Sequence, residues 1–151
     1  MKNFSKIILL LVLNLFFIEV FSIEPPTQLI IKVLKPGDNT GDITENNDLI
    51  TVNYTGWIFD SSVKNKNYCE AKGNMFDSSM YEKFHHKAPF DFVLGKGKVI
   101  KGCEIGLHNM KINEKRCLVI PPDFAYGNRR IGNIIKPNST LIFEVQLLKI
   151  K

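Results

Sequence analysis

Covalent chemistry has little to work with in this chain. It carries three cysteines and three histidines in 151 residues, with no CxxC pair and no Cys/His ladder at metal-ligand spacing. A GxSxG nucleophile elbow, an HExxH helix, a phosphate-cradling glycine loop and a sequence-legible carboxylate pair are all missing. Those absences exclude the commoner hydrolase, metalloprotease and nucleotide-binding designs. Positive charge is present but unconcentrated: the lysines are scattered, and the one tight pair, Arg129 and Arg130, falls in a loop, which argues against nucleic acid.

The length suits one domain with a core of its own. The chain opens on its longest apolar run, "MKNFSKIILLLVLNLFFIEVFS", where Lys2 and Lys6 precede Ile7 to Ile18 and the small residues Val20 and Ser22 follow. That order predicts a secretory signal peptide over residues 1–22, cut after Ser22. A membrane anchor needs ~20 apolar residues, and Asn14 and Glu19 interrupt this run, so no membrane association is expected after cleavage. Losing Lys2, Lys6 and Glu19 lowers the formal charge from +5 to +4. The expected localisation is the secretory pathway: the ER lumen, the exterior, or the periplasm in a bacterium. In an oxidising compartment Cys69, Cys103 and Cys117 give most simply one disulfide and one free thiol.

After a proline-marked arm, "TQLIIKVLKPG" reads as a first strand and "DNTGDITENN" as a polar loop. "DLITVNYTGWIF" alternates, with Ile50, Val52 and Tyr54 on one face, as a half-buried strand does. The aperiodic stretch "DSSVKNKNYCEAKGN" is an insertion carrying Cys69. "MFDSS" and "PFDFVLG" are short strand pieces. In "VIKGCEIGLHNM", Val99 or Ile100, Cys103, Leu107 and Met110 recur at helical spacing, while Gly102 and Gly106 weaken intrinsic helicity, so packing must hold this helix. "EKRCLVIPP" puts Arg116, Leu118 and Ile120 on one face and Cys117 and Val119 on the other. "TLIFEVQLLKI" closes the domain. These elements predict an α+β fold, an antiparallel half-barrel of about five strands wrapped around one short helix. The expected organisation is 1–22 signal peptide, 23–47 arm, first strand and loop, and 48–151 main domain, with the first strand from about residue 28 belonging to it.

Tyr54, Phe76, Phe90, Tyr126 and Phe143 lie beside turns and strand ends, with Val99, Ile100 and Ile135 as aliphatic companions. A plain core role accounts for any one of them; as a set they point to a pocket. The blocks that carry them, "VNYTGWIFD", "FDSS", "PFDFVLGKGKVIKG", "GLHNMKINEKRCLVIPPDFAYG" and "PNSTLIFEVQLLKI", occur in an order that resembles the FKBP-type peptidyl-prolyl cis-trans isomerases over about residues 28 to 151.

That resemblance implies an apolar pocket between helix and sheet and rotation of X-Pro bonds without cofactor or metal. It assigns Tyr54, Phe76, Asp77, Tyr126 and Phe143 to catalysis and Phe90, Val99, Ile100, Cys103, Ile135 and, more weakly, Ile134 to substrate or macrolide binding. The expected partners are proline-containing polypeptides and macrolides such as tacrolimus and rapamycin. A monomer is expected. The alternative is a weakly catalytic binding or chaperone module of the same fold that holds a proline-containing segment.

Cys103 stands where the family usually has a tryptophan, so pocket wall is its expected role and a disulfide stays open. A nucleophile is disfavoured because His108, five residues on, sits about 140° around the helix; Glu104 and His108 are expected as a surface pair. With Cys103 at the pocket on this resemblance, the expected bridge joins Cys69 and Cys117. Asp77 is expected to orient Tyr54, to polarise the amide edge, or to close an Asx turn with Ser78 and Ser79. The stretches from Trp57 to Phe76 and from Ser79 to Pro89 exceed those of the smallest members, and Lys136 replaces a proline; all three are expected at the pocket rim. "NYT" at Asn53 and "NST" at Asn138 are glycosylation sequons, and His85 with His86 is expected to be solvated rather than metal-bound.

Overall fold

The computed structural model describes residues 22–39, 41–64, 67–84 and 87–151. The expected signal peptide, apart from Ser22, and the His85–His86 pair lie outside the described residues.

Alternating apolar positions build an antiparallel sheet from β1 (Ile30–Lys35), β2 (Leu49–Phe59), β3 (Lys72–Ser78), β4 (Phe90–Val93), β5 (Lys115–Ile120) and β6 (Leu141–Ile150). The order is β1-β5-β6-β2-β3, with β4 also on β2. The count is six, not about five. β3 and β4 register separately on successive halves of one β2 edge, Thr55–Phe59 and Leu49–Val52, and so are two strands. Between them Tyr54 has no strand partner on that edge; its backbone N–H donates to Ser79 Oγ at 2.9 Å, and its carbonyl accepts from Ser79 N at 3.1 Å.

Strand alternation sorts side chains into two clusters on opposite faces. Ile50, Val52, Leu118, Ile120, Leu141, Phe143, Val145 and Leu147 enter the inner core with Cys103, Leu107 and Met110. The outer face is covered as well: Cys117, Val119 and Ile142 pack with Phe59, Cys69 and Ala71, and with Ile23 and Tyr68. Cys69 and Cys117 are joined by a disulfide across 48 residues. The insertion between β2 and β3 therefore lies against the face opposite the inner core. It is not at the pocket rim as expected, because Cys69 and Ala71 supply the apolar surface that a sheet buried on both faces requires.

The helix α1 (Lys101–Gly106) is shorter than its apolar spacing suggests. Ile100 is extended and caps its start, Leu107 ends it, and Asn109 takes φ +53°, which cannot continue a helix. Its two glycines permit close approach to β5: a Cβ on Gly102 would lie 2.4 Å from Ile120 Cγ2, and one on Gly106 2.6 Å from Leu118 Cδ2. Six residues are too few for a stable isolated helix, so tertiary contacts hold both ends. Glu104 accepts from the backbone N–H groups of Gly95 (2.6 Å) and Lys98 (3.1 Å). The expected Glu104–His108 pair gives way to this loop-closing role.

At the other end the Arg116 guanidinium donates to the carbonyls of Gly106, His108 and Asn109 at 2.7–2.9 Å and pairs with Glu114. An arginine on the core face is thus satisfied by carbonyls a helix leaves unpaired, and its charge suits that terminus. Thr44, in the loop after β1, is fully buried and binds Leu107 O and Met110 N through its hydroxyl. Among the described residues no helix is long and apolar enough to cross a membrane.

Candidate active site

The interruption between β3 and β4 opens a cavity of about 210 Å³ between the sheet and α1. β2 contributes Val52 and Tyr54, β3 contributes Phe76 and Asp77, and β4 contributes Phe90 and Phe92. Lys98, Val99 and Ile100 come from the approach to the helix, Cys103 and Leu107 from the helix and its end, Tyr126 from the turn after β5, and Phe143 and Val145 from β6. Register explains the convergence: Val52 pairs with Phe90, and Tyr54 with Val145, so their side chains emerge side by side.

The aromatic wall is packed edge to face. Phe76 and Phe143 meet at 5.5 Å and 83°, and Tyr54 meets Phe90 at 6.1 Å and 71°, the geometry that ring quadrupoles favour. Gly56 makes room for it, since a Cβ there would lie 2.6 Å from Phe76 and 2.9 Å from Phe143.

Two polar side chains of this wall hold each other. The Tyr54 hydroxyl donates to Asp77 Oδ2 at 2.8 Å, and Asp77 Oδ1 accepts from Ser78 N at 2.8 Å. Asp77 is thus the partner of Tyr54, whereas the expected Asx turn does not form, because its carboxylate takes the adjacent Ser78 N–H and the Ser79 N–H goes to the Tyr54 carbonyl. Burial, then the bond to Asp77, raises the Tyr54 phenol above its ordinary range. Burial likewise raises Tyr126, so both phenols keep their protons at neutral pH and remain donors. Burial, with the Glu104 charge added, pushes the Cys103 thiol up to about 12. A thiol that stays protonated at neutral pH is not a nucleophile. Cys103 is part of the cavity wall, 7 % exposed, with a free thiol.

Of the eleven residues proposed from sequence, the cavity gathers nine. Ile135 is buried in the inner core without lining the cavity, and Ile134 is 49 % exposed. Ile131 and Ile135 bond reciprocally through their backbones at 3.0 and 3.2 Å; this tight turn sends the neighbouring side chains 134 and 135 apart. Val52, Phe92, Lys98, Leu107 and Val145 complete the wall and were missed, although two-residue spacing from Tyr54, Phe90 and Phe143 marks Val52, Phe92 and Val145. Asn53 lies within β2, its side chain accepting from Ser79 Oγ at 3.2 Å, whereas Asn138 is in an exposed turn. Among the described residues no three His, Cys, Asp or Glu side chains gather as a metal site.

Comparison with known proteins agrees with this geometry. Residues 41–148 match the model of the FKBP-type peptidyl-prolyl cis-trans isomerases. The chain belongs to that family. It is 42 % identical over 111 residues to FK506-binding protein 1 of Aspergillus oryzae, covering 74 % of this chain and 90 % of that protein. It is 36 % identical over 118 residues to the peptidyl-prolyl cis-trans isomerase Fkbp12 of Drosophila melanogaster, covering 78 % and 94 %. With FK506-binding protein 2B of Rhizopus delemar it shares 42 % over 130 residues, covering 85 % of this chain but 55 % of that longer protein. As an FKBP-type enzyme it is a peptidyl-prolyl cis-trans isomerase.

Proposed function

We propose that this isomerase acts on exported polypeptides, seating the proline ring among Phe76, Phe90, Val99, Ile100 and Phe143, and that it acts as a monomer. The observation that carries the site is a cavity of about 210 Å³ walled by Tyr54, Phe76, Phe90, Phe92, Tyr126 and Phe143. Rotation about X-Pro is opposed by a barrier of roughly 18–20 kcal/mol, mostly lost amide resonance. Water stabilises the polar planar amide more than the twisted one, so a dry aromatic enclosure narrows the gap without nucleophile or metal.

Tyr126 donates to a carbonyl of the bound segment. A hydrogen bond to a carbonyl oxygen does not by itself favour the twisted amide, so its role is to hold the chain in register. Asp77 fixes the Tyr54 hydroxyl. Tacrolimus-like macrolides, for which the fungal FK506-binding proteins are named, would occupy the same cavity. The exported setting rests on the basic-apolar-small pattern of residues 1–22 and is compatible with the Cys69–Cys117 bond.

The test is turnover of a Phe-Pro peptide by the mature chain, followed by NMR exchange or a protease-coupled assay, with and without tacrolimus. Macrolide-sensitive acceleration is expected; a folded protein giving none refutes the site. Tyr126→Phe should lower kcat/KM by about threefold to tenfold, the worth of one hydrogen bond, chiefly through KM. Protease protection of the mature chain in microsomes checks the compartment.

A further inference from the structure

The wall of the cavity holds two charged residues, Asp77 and Lys98, and they are treated differently. Asp77 is turned to its own neighbours, accepting from the Tyr54 hydroxyl and Ser78 N. Lys98 is anchored only through its backbone N–H, which donates to Glu104; its ammonium group is exposed and forms no ion pair. Glu104, the nearest acid in sequence, has its two oxygens occupied by Gly95 N and Lys98 N.

A second cation stands beside Tyr126, another residue of the wall. Arg129 Nε lies 3.4 Å from the Tyr126 carbonyl, the guanidinium is exposed, and its charge lowers the Tyr126 phenol against the effect of burial. Lys101, the first residue of α1, is engaged elsewhere, its ammonium 4.9 Å from the Phe124 ring. Asp77, the acid of the wall, is thus engaged by its own neighbours, while Lys98 and Arg129 are exposed.

We infer that this isomerase selects X-Pro segments bearing a carboxylate side chain next to the proline, with Lys98 and Arg129 as the specificity-determining residues. The inference rests on the reading of the cavity as the proline site. A carboxylate entering the mouth meets two cations without displacing an existing ion pair, and a lysine or arginine there is repelled. Partly exposed pairs of this kind give modest discrimination that salt removes.

The experiment compares kcat/KM for peptide pairs that differ only by Glu or Gln at X or at the residue after the proline. For at least one position the Glu peptide should be favoured by about threefold to fivefold at low ionic strength, the ratio falling towards one by about 0.5 M salt. Lys98→Glu should carry the ratio below one, and Arg129→Gln should lower it. The salt dependence of the unaltered protein is a readout independent of how either variant folds. Turnover of both peptides at equal rates, insensitive to salt, overturns the inference and leaves the proline site standing; absence of turnover with every peptide overturns both.

Discussion

Replacing Cys103 by tryptophan tests the cavity more directly than removing any wall residue, because it adds surface where the structure has space. Cys103 lies in the wall of a cavity of about 210 Å³ that also contains Leu107, Tyr126 and Phe143. An aromatic side chain buries roughly 150–250 Å². Most of an indole at position 103 would cover the existing wall, and the part presented to a ligand is about 60 Å². At ~25 cal/mol per Å² that patch is worth ~1.5 kcal/mol, or about tenfold in Kd.

Cys103→Trp should therefore tighten tacrolimus about tenfold and raise kcat/KM for a Phe-Pro peptide by a smaller factor. The readout is built in: the parent's one tryptophan, Trp57, packs with the outer cluster beneath the Lys72 ammonium at 4.7 Å, so ligand-dependent indole emission is expected only from the variant. Because overpacking can cost 1–3 kcal/mol, Cys103→Leu serves as a smaller filler with a proportionally smaller gain. A folded variant with unchanged affinity and unchanged indole emission on adding ligand refutes the placement of Cys103 in the binding wall.

Gly102→Ala separates helix propensity from packing: alanine favours an exposed helix by ~1 kcal/mol, but its Cβ here meets Ile120 at 2.4 Å, so a net loss of ~1–2 kcal/mol is expected in denaturant melts. Replacing Cys69 and Cys117 together by alanine removes a 48-residue crosslink, worth up to ~4 kcal/mol in loop entropy; Tm should fall while the remaining folded protein keeps its isomerase activity, since the bridge lies on the face opposite the cavity. Glu144 is raised by burial but held, on balance, below the ordinary carboxyl range by hydrogen bonds from Lys115 and Lys72. A depressed folded pKa stabilises above the unfolded value of about 4.3 and is lost as pH falls through the folded one. Glu144→Gln should therefore be less stable than the parent at neutral pH, with the difference shrinking in acid, as read by urea midpoints.

Strand identity was legible wherever residues alternate. Ile50, Val52 and Tyr54, or Leu141 to Leu147, declare an inner face without reference to any partner, because the side-chain period of a strand is local. The nine residues that do meet in the cavity were also legible, through the ordered blocks that carry them. The helix ends were not. Arg116 and Thr44, 72 residues apart in sequence, close the same terminus of α1 through carbonyls of Gly106 to Asn109 and the amide of Met110, and nothing near either residue announces that contact.

The sequence by itself determined the alternation of the sheet, the weak helix that only packing can hold, and the aromatic set that an X-Pro site requires, since each follows from short-range periodicity or from residue type. Tertiary structure alone decided that the Cys69 insertion covers the outer face, that Ile134 stays outside the cavity wall, and that Lys98 lines the cavity as an exposed cation while Asp77 is bonded to Tyr54 and Ser78. Those outcomes depend on which distant groups compete for the same donors, acceptors and apolar surface, and that competition exists only once the chain has closed on itself.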